Sequence, residues 1–225
     1  MLAGDAAHHL GRVLRAEPGQ LYELSDGTSV WLGKIEFADK NQIDFSLVEA
    51  IPQQTPLLDT TLLLAVVKFD AFEWAIEKAT ELGVNRIVPL AAARSEKGLL
   101  SAAEKRTERW KKILFEASQQ ARRVRLPVLE SLAAPKAAFT AVGSQIKLML
   151  SERSEAQALR RVLDGQTGGK VALAIGPEGG WTEEEFTAAG KAGFGEASLG
   201  SLILRTETAV TACLAAVNYA LDRDQ

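Results

Sequence analysis

The chain has 225 residues, 47% of them hydrophobic and 24% charged, with a formal net charge of −3, which places it among globular proteins and excludes disordered and fibrous ones. No apolar run approaches the roughly 20 residues of a membrane-spanning helix, and the N-terminus shows neither the basic nor the apolar region of a secretory signal. The single cysteine, Cys213, excludes an internal disulfide and lies in an apolar run over 210–217, so it reads as a buried thiol in a cytoplasmic protein.

The first 52 residues hold short alternating runs over 20–24, 30–37 and 42–48, with Asp26-Gly27 between the first two as a hairpin signal. They predict a small β-rich domain of limited core. Residues 51–56, with two prolines among polar residues, read as a linker, and a second domain is expected over 57–225. There the run 62–67 predicts a strand. Residues 70–82 predict a helix with Asp70 as N-cap, Glu73 as capping-box partner and Gly83 as stop. A strand follows over 86–90, and Ser101 with Glu104 reads as a capping box opening a helix that runs to about residue 121. Strands are expected over 146–150 and 170–175, with a helix over 154–163 between them. Thr182 and Glu185 cap a helix ending near Gly193, and a last helix covers 206–221. Its apolar residues Val210, Leu214, Val217 and Leu221 form a stripe that suits either core or a dimer interface. Alternating strands and helices predict a parallel sheet covered on both faces.

Charge is uneven. Between Arg94 and Arg125 there are ten Lys or Arg against four Glu, whereas the first 52 residues carry four basic and eight acidic side chains. One basic face on an acidic chain fits a localised anionic contact.

Two stretches carry the chemistry: Ile175-Gly176-Pro177-Glu178-Gly179-Gly180, and Leu199-Gly200-Ser201-Leu202-Ile203-Leu204-Arg205-Thr206-Glu207-Thr208-Ala209. Each reads as a turn between an apolar strand and a helix. Side by side at adjacent strand ends they would offer backbone donors and acceptors to a flat polar molecule such as an adenosyl group, where open α/β sheets bind ligands. The spacing matches neither a dinucleotide fingerprint nor a P-loop, and a plain structural turn explains the glycines equally well on spacing alone. Glu178 would repel phosphate but accept from a hydroxyl or an ammonium. His8 and His9, adjacent, are the only histidines, too few for a zinc site, and no nucleophile elbow is present. The arginines remain: Arg12, Arg15, Arg94, Arg122, Arg123, Arg125 and Arg205, whose planar forks suit RNA phosphate and anionic intermediates. Arg205 stands apart because it interrupts an apolar strand-to-helix junction.

With these blocks in view the chain resembles the RsmE family of 16S ribosomal RNA uridine-N3 methyltransferases, within the SPOUT superfamily. The similarity runs through His8-His9-Leu10 with Val13-Leu14-Arg15, through Lys78-Ala79-Thr80-Glu81-Leu82-Gly83-Val84, through Glu116-Ala117 with Gln120, Arg123 and Pro127, and through the two stretches above. It implies an α/β fold of SPOUT type, a parallel sheet with a C-terminal trefoil knot, preceded by a PUA-like RNA-binding domain over 1–52. It also implies S-adenosyl-L-methionine as cofactor, a homodimer with shared active sites, and the 16S rRNA of the 30S subunit as partner, with no metal and no membrane. Cofactor contacts are implied for Leu150 and Ser151, for Ile175, Gly176, Glu178 and Gly179, and for Leu199, Gly200, Leu202, Leu204 and Thr208. RNA contacts fall on Arg12, Arg15, Arg94, Gln120 and Arg122. For catalysis, Arg205 is expected to steady the uracil anion, with Arg123 or the partner subunit's Arg15, while Glu207 either takes the proton or orients Arg205. Family members begin with a further strand ahead of the HHL motif, on which this chain almost starts, and Ser201-Leu202 stands where a basic residue is common. Two other readings share these features: a SPOUT methyltransferase for another RNA position, and a non-catalytic RNA-binding factor.

Overall fold

Along the central strands of the larger unit, successive apolar residues feed two different cores, and this alternation organises the fold. In the computed structural model, which describes residues 1–13, 15–39, 41–53 and 57–221, the chain forms two compact units, Met1–Thr55 and Pro56–Gln225. Leu14 of the N-terminal motif, Gln54, Thr55 and Pro56 of the expected linker, and the last four residues lie outside the described residues.

The first unit is an antiparallel sheet of β1 (Leu2–Ala3), β2 (Leu21–Ser25), β3 (Val30–Ala38) and β4 (Gln42–Ile51), in the order β1-β4-β3-β2. Between β1 and β2 run α1 (Asp5–His8) and a π-helical turn over His9–Val13. A two-residue strand thus precedes the HHL motif. The Asp26-Gly27 hairpin forms as expected: the Asp26 carboxylate accepts from the Thr28 N–H and hydroxyl and from the Ser29 N–H at 2.7–2.8 Å. These bonds, that from Ser29 foremost, hold its pKa at about 2. Ala7, Ala16, Ile35 and Ile43 make the small core.

The second unit comprises β5 (Leu58–Ala65), α2 (Phe69–Glu81), β6 (Arg86–Leu90), α3 (Lys97–Gln120), β7 (Val128–Leu129), α4 (Pro135–Ala141), β8 (Ile146–Leu150), β9 (Gln157–Ala158), α5 (Leu159–Leu163), β10 (Gly169–Ile175), α6 (Glu183–Lys191), β11 (Gly195–Ser198) and α7 (Thr206–Leu221). Its seven strands pair in parallel in the order β7-β6-β5-β10-β8-β11-β9. Leu62, Leu64, Leu173 and Ile175 face one core, shared with α2, α3, α5 and α7. Leu63, Ala65, Ala172 and Ala174 face the other, shared with α4 and α6. Side chains alternate across a strand, so strands buried on both faces read as unbroken apolar runs. Val210, Leu214, Val217 and Leu221 of α7 all lie in the first core, which settles the use of that stripe. Cys213 is buried beside them, and desolvation pushes its thiol up to about 12.

Several expected boundaries move. Asp70 is not an N-cap; α2 starts one residue earlier and Lys68 holds the cap position without a side-chain bond. Glu73 is instead buried against Arg109 Nε at 2.7 Å and Arg106 Nη1 at 3.4 Å. Ser101 does not open α3, which begins at Lys97; its hydroxyl donates to the Lys97 carbonyl inside the helix. The helix expected over 154–163 shrinks to α5, because residues 151–157 offer no apolar face to bury, whereas Leu159 and Leu163 enter the core and Val162 packs against it. β7, α4, β9 and β11 are strands and a helix that the apolar patterning does not announce.

Helices α2, α6 and α3 end alike. The N–H of the residue after the left-handed position reaches back five residues, from Val84 to Ala79, Phe194 to Ala189 and Arg123 to Ser118. The left-handed residue is Gly83 in α2 and Gly193 in α6, but Arg122 in α3, at φ +53°. A side chain there meets its own backbone, which glycine avoids. Arg122→Gly is expected to stabilise the protein by about 1 kcal/mol, measured as a rise of about 2–4 °C in the thermal midpoint.

Candidate functional site

At the carboxyl ends of β8, β10 and β11, neighbours in the sheet, three loops enclose a cavity of about 620 Å³. One wall is loop 151–156, the second is turn 176–181, and the third is segment 197–204 with Thr206 and Ala209 of α7. Strand ends of an open α/β sheet leave such a crevice because the loops diverge there.

Trp181 joins two of these walls. Its Nε1 donates to the Leu150 carbonyl at 3.1 Å, while its ring lies so near Gly176 that a Cβ there would stand 3.0 Å from Cε2. Gly176 is therefore glycine for closeness. Its carbonyl accepts from the Thr206 hydroxyl at 3.1 Å, which ties the start of α7 to the same turn. Gly180, at φ +70°, completes the turn with its N–H donating to the Pro177 carbonyl at 2.8 Å. On the third wall the Ser198 hydroxyl bonds both the N–H and the carbonyl of Gly200, whose φ is +134°.

Beneath the turn, the expected capping box of α6 is present: the Glu185 carboxylate accepts from the Thr182 N–H at 2.8 Å and its hydroxyl at 3.0 Å. The other carboxylate oxygen takes the Ala93 N–H at 2.9 Å, across from the loop between β6 and α3. Glu185 is only 8% exposed. A buried carboxylate is tolerable when its oxygens are satisfied, and here one side chain caps a helix and anchors a neighbouring loop.

Leu150, Ser151, Ile175, Gly176, Glu178, Gly179, Leu199, Gly200, Leu202 and Leu204, all expected at the cofactor, line the cavity together. Thr208, expected with them, is exposed on the first turn of α7 and does not line it. Arg94, expected at RNA, does line it. Arg205 and Glu207 flank the lining residues Leu204 and Thr206, the first exposed and the second half-buried. Arg123 lies elsewhere: its Nη1 donates to the Thr80 and Val84 carbonyls at 2.7 and 2.8 Å. There it neutralises the end of the α2 dipole, and burial lowers its pKa. Its Nη1 is thus engaged at the end of α2, and the residue does not line the cavity. Gln120 and Arg122 are exposed at the end of α3. In the first unit Arg15 is exposed, and Arg12 is exposed with its Nη1 3.4 Å from His8 Nε2.

Sequence reasoning passed over Trp181 and the loop residues Glu152, Arg153, Ser154 and Ala156. Arg153 lies 4.7 Å from the centroid of the Phe186 ring and 3.3 Å from a Glu183 oxygen, which braces the loop. The signal was the polar Ser151-Glu152-Arg153-Ser154 directly after an apolar strand. Among the described residues no group of His, Cys, Asp or Glu side chains could hold a metal ion, and no helix is long and apolar enough to cross a membrane.

Comparison with known proteins agrees with this geometry. Residues 53–218 match the model of an RNA methyltransferase domain, and residues 2–48 that of an RNA methyltransferase PUA domain. The chain is 34% identical to ribosomal RNA small subunit methyltransferase E of Synechocystis, over 96% of this chain and 71% of that one. It is 31% identical to the protein of the same name from Aquifex aeolicus, over 92% and 88%. The crystal structure of ribosomal RNA small subunit methyltransferase E from Neisseria gonorrhoeae, bound to S-adenosylmethionine, superposes with a TM-score of 0.87 at 30% identity, covering 98% of this chain and 91% of that one. A Legionella pneumophila protein in complex with the same cofactor gives 0.85 at 30% identity, covering 97% and 90%.

Glu185→Ala removes the acceptor of two part-buried N–H groups and a hydroxyl, and is expected to destabilise the protein by about 1–2 kcal/mol. Urea denaturation would read this as a lower midpoint at unchanged slope.

Proposed function

The chain belongs to the RsmE family of RNA methyltransferases, and from that premise we propose that it transfers a methyl group from S-adenosyl-L-methionine to N3 of a uridine in the 16S rRNA of the small ribosomal subunit. The observation that carries the reading is the single cavity into which the two glycine-bearing segments and loop 151–156 converge.

The residues present fit the cofactor. A volume of about 620 Å³ lies within the range of small-molecule sites. Its walls include the backbone around Gly176, Gly179 and Gly200, suited to hydrogen-bonding a nucleoside, and its lining carries Arg153 beside Glu152 and Glu178. Both signs of charge suit a zwitterionic amino-acid tail. When bound, S-adenosyl-L-methionine supplies an electrophilic sulfonium methyl.

The protein's own part is to hold uracil N3 in line and to make it nucleophilic. N3 carries a proton at neutral pH, and its loss leaves an anion spread over the O2 and O4 carbonyl oxygens. Arg205, at the exposed mouth of the third wall, stabilises that charge, and Glu207 takes the N3 proton or orients the guanidinium. The domain over 1–52 serves as the PUA-like RNA-binding module and that over 57–225 as the knotted methyltransferase. The work is cytoplasmic, on 30S subunits. A homodimer belongs to the same reading: Leu202 and Ile203 at the cavity rim are 80% and 78% exposed, and Tyr219 on α7 is 91% exposed, apolar surface that a second subunit would cover.

Arg205→Ala is expected to lower the rate of tritiated methyl transfer to unmodified 30S subunits about 100-fold, with cofactor affinity by calorimetry changed less than about twofold. Turnover at the wild-type rate would exclude the role. Light scattering at micromolar concentration is expected to return twice the 24.2 kDa of one chain; a monomeric mass would rule out a shared site.

A further inference from the structure

Arg94 was expected to grip RNA, yet its guanidinium already has a partner inside the protein. Nη1 donates to the Gly179 carbonyl at 2.6 Å, across 85 residues of sequence. Its aliphatic stem lies flat against the same residue: a Cβ on Gly179 would stand 3.3 Å from Arg94 Cβ and 3.4 Å from Cδ. Gly179 has no positive φ to explain it. The arginine stem leaves a side chain at this position little room.

The base of this arm is fixed independently. The Ala93 N–H is held by the buried Glu185 carboxylate, Ala92 is buried, and the Ser95 N–H returns to the Ala92 carbonyl at 3.0 Å. The loop between β6 and α3 is therefore pinned at one residue to the start of α6 and at the next to the turn that walls the cavity. Within turn 176–180 the Gly180 N–H donates to the Pro177 carbonyl, and the Thr206 hydroxyl holds the Gly176 carbonyl at the other end.

We propose that Arg94 is a positioning residue: it clamps the Gly179 peptide so that the turn presents its backbone to the cofactor, and it acts through Gly179 rather than on RNA. The clamp rests on the cofactor reading above for its purpose, but its mechanical effect on the turn does not. A charge-assisted bond to a backbone carbonyl is stronger than a neutral one even at the surface, and so biases the conformation of the turn.

Hydrogen exchange at the Gly180 amide, followed by NMR in the protein without cofactor, reads the clamp directly. Arg94→Ala is expected to speed that exchange about tenfold and to weaken S-adenosylmethionine binding, measured by calorimetry, by a similar factor, with KM for 30S subunits unchanged. Arg94→Lys keeps the stem and a cationic donor and is expected to restore most of both. Gly179→Ala pushes the stem away and should match Arg94→Ala, and the double variant should be no worse than either alone. Unchanged Gly180 exchange in Arg94→Ala overturns the clamp, as does a raised subunit KM with cofactor affinity intact, which would return Arg94 to RNA. If the wild-type protein binds no S-adenosylmethionine, the cofactor reading falls while the exchange rates still decide the clamp.

Discussion

A carboxylate taken out of water has to be repaid with donors, and Glu185 is placed where its donors are structural. Two come from Thr182 and start α6; the third is the N–H of Ala93 in a loop 92 residues earlier. The side chain thereby fixes the distance between the β6–α3 loop and the β10–α6 turn. Everything on that side of the cavity follows: where Arg94 emerges, where Gly179 lies beneath it, and where Trp181 begins its reach to Leu150. Losing a donor leaves the buried carboxylate short of a partner, so the arrangement is held as a unit.

The rest of the same turn relies on contact and not on charge. The Trp181 ring fills the space over Gly176, and Phe139 meets the same ring edge-on at 5.9 Å between centroids. The tryptophan thus bridges the second core and the binding walls, so that packing of α4 bears on the cavity although no residue of α4 lines it. Gly176 is glycine because the Trp181 ring comes too close, whereas Gly180 and Gly200 are glycine because the backbone turns through positive φ. One short motif therefore mixes two different reasons for the same residue.

These reasons mark how far the sequence could be read. β6, β8 and α7 stand where their patterns place them, since an apolar run flanked by turn residues has few alternatives. The capping box at Thr182 was legible because both partners are local. The boxes read at Asp70 and Ser101 failed for the converse reason: Glu73 finds arginines on α3, a tertiary partner that no local pattern contains, and α3 already extends past Ser101 from Lys97. β11, Gly-Glu-Ala-Ser, was invisible as a strand because only Ala197 is fully buried and neighbouring strands supply the rest. The cavity lining was largely legible through the resemblance, whereas Trp181, loop 151–156 and the inward use of Arg94 depend on contacts between distant segments.

The same distinction revises the electrostatics. Ten basic residues between Arg94 and Arg125 read as a localised anionic contact, and the fold narrows it further by engaging most of them. Arg106 and Arg109 neutralise Glu73, Arg123 caps α2, Arg94 holds Gly179, and Lys111 and Lys112 pair with Glu108 and Glu116. Lys97, Lys105, Arg122 and Arg125 form no ion pair among the described residues. Each phosphate neutralised steepens the salt dependence of binding, so the cations that the fold leaves without a carboxylate partner set how steep it is. On a chain of net charge −3, RNA would then be selected by the fit of one nucleotide at the cavity mouth more than by general attraction to the backbone. That balance suits an enzyme with a single target, because weak nonspecific binding leaves discrimination to the site where the chemistry occurs.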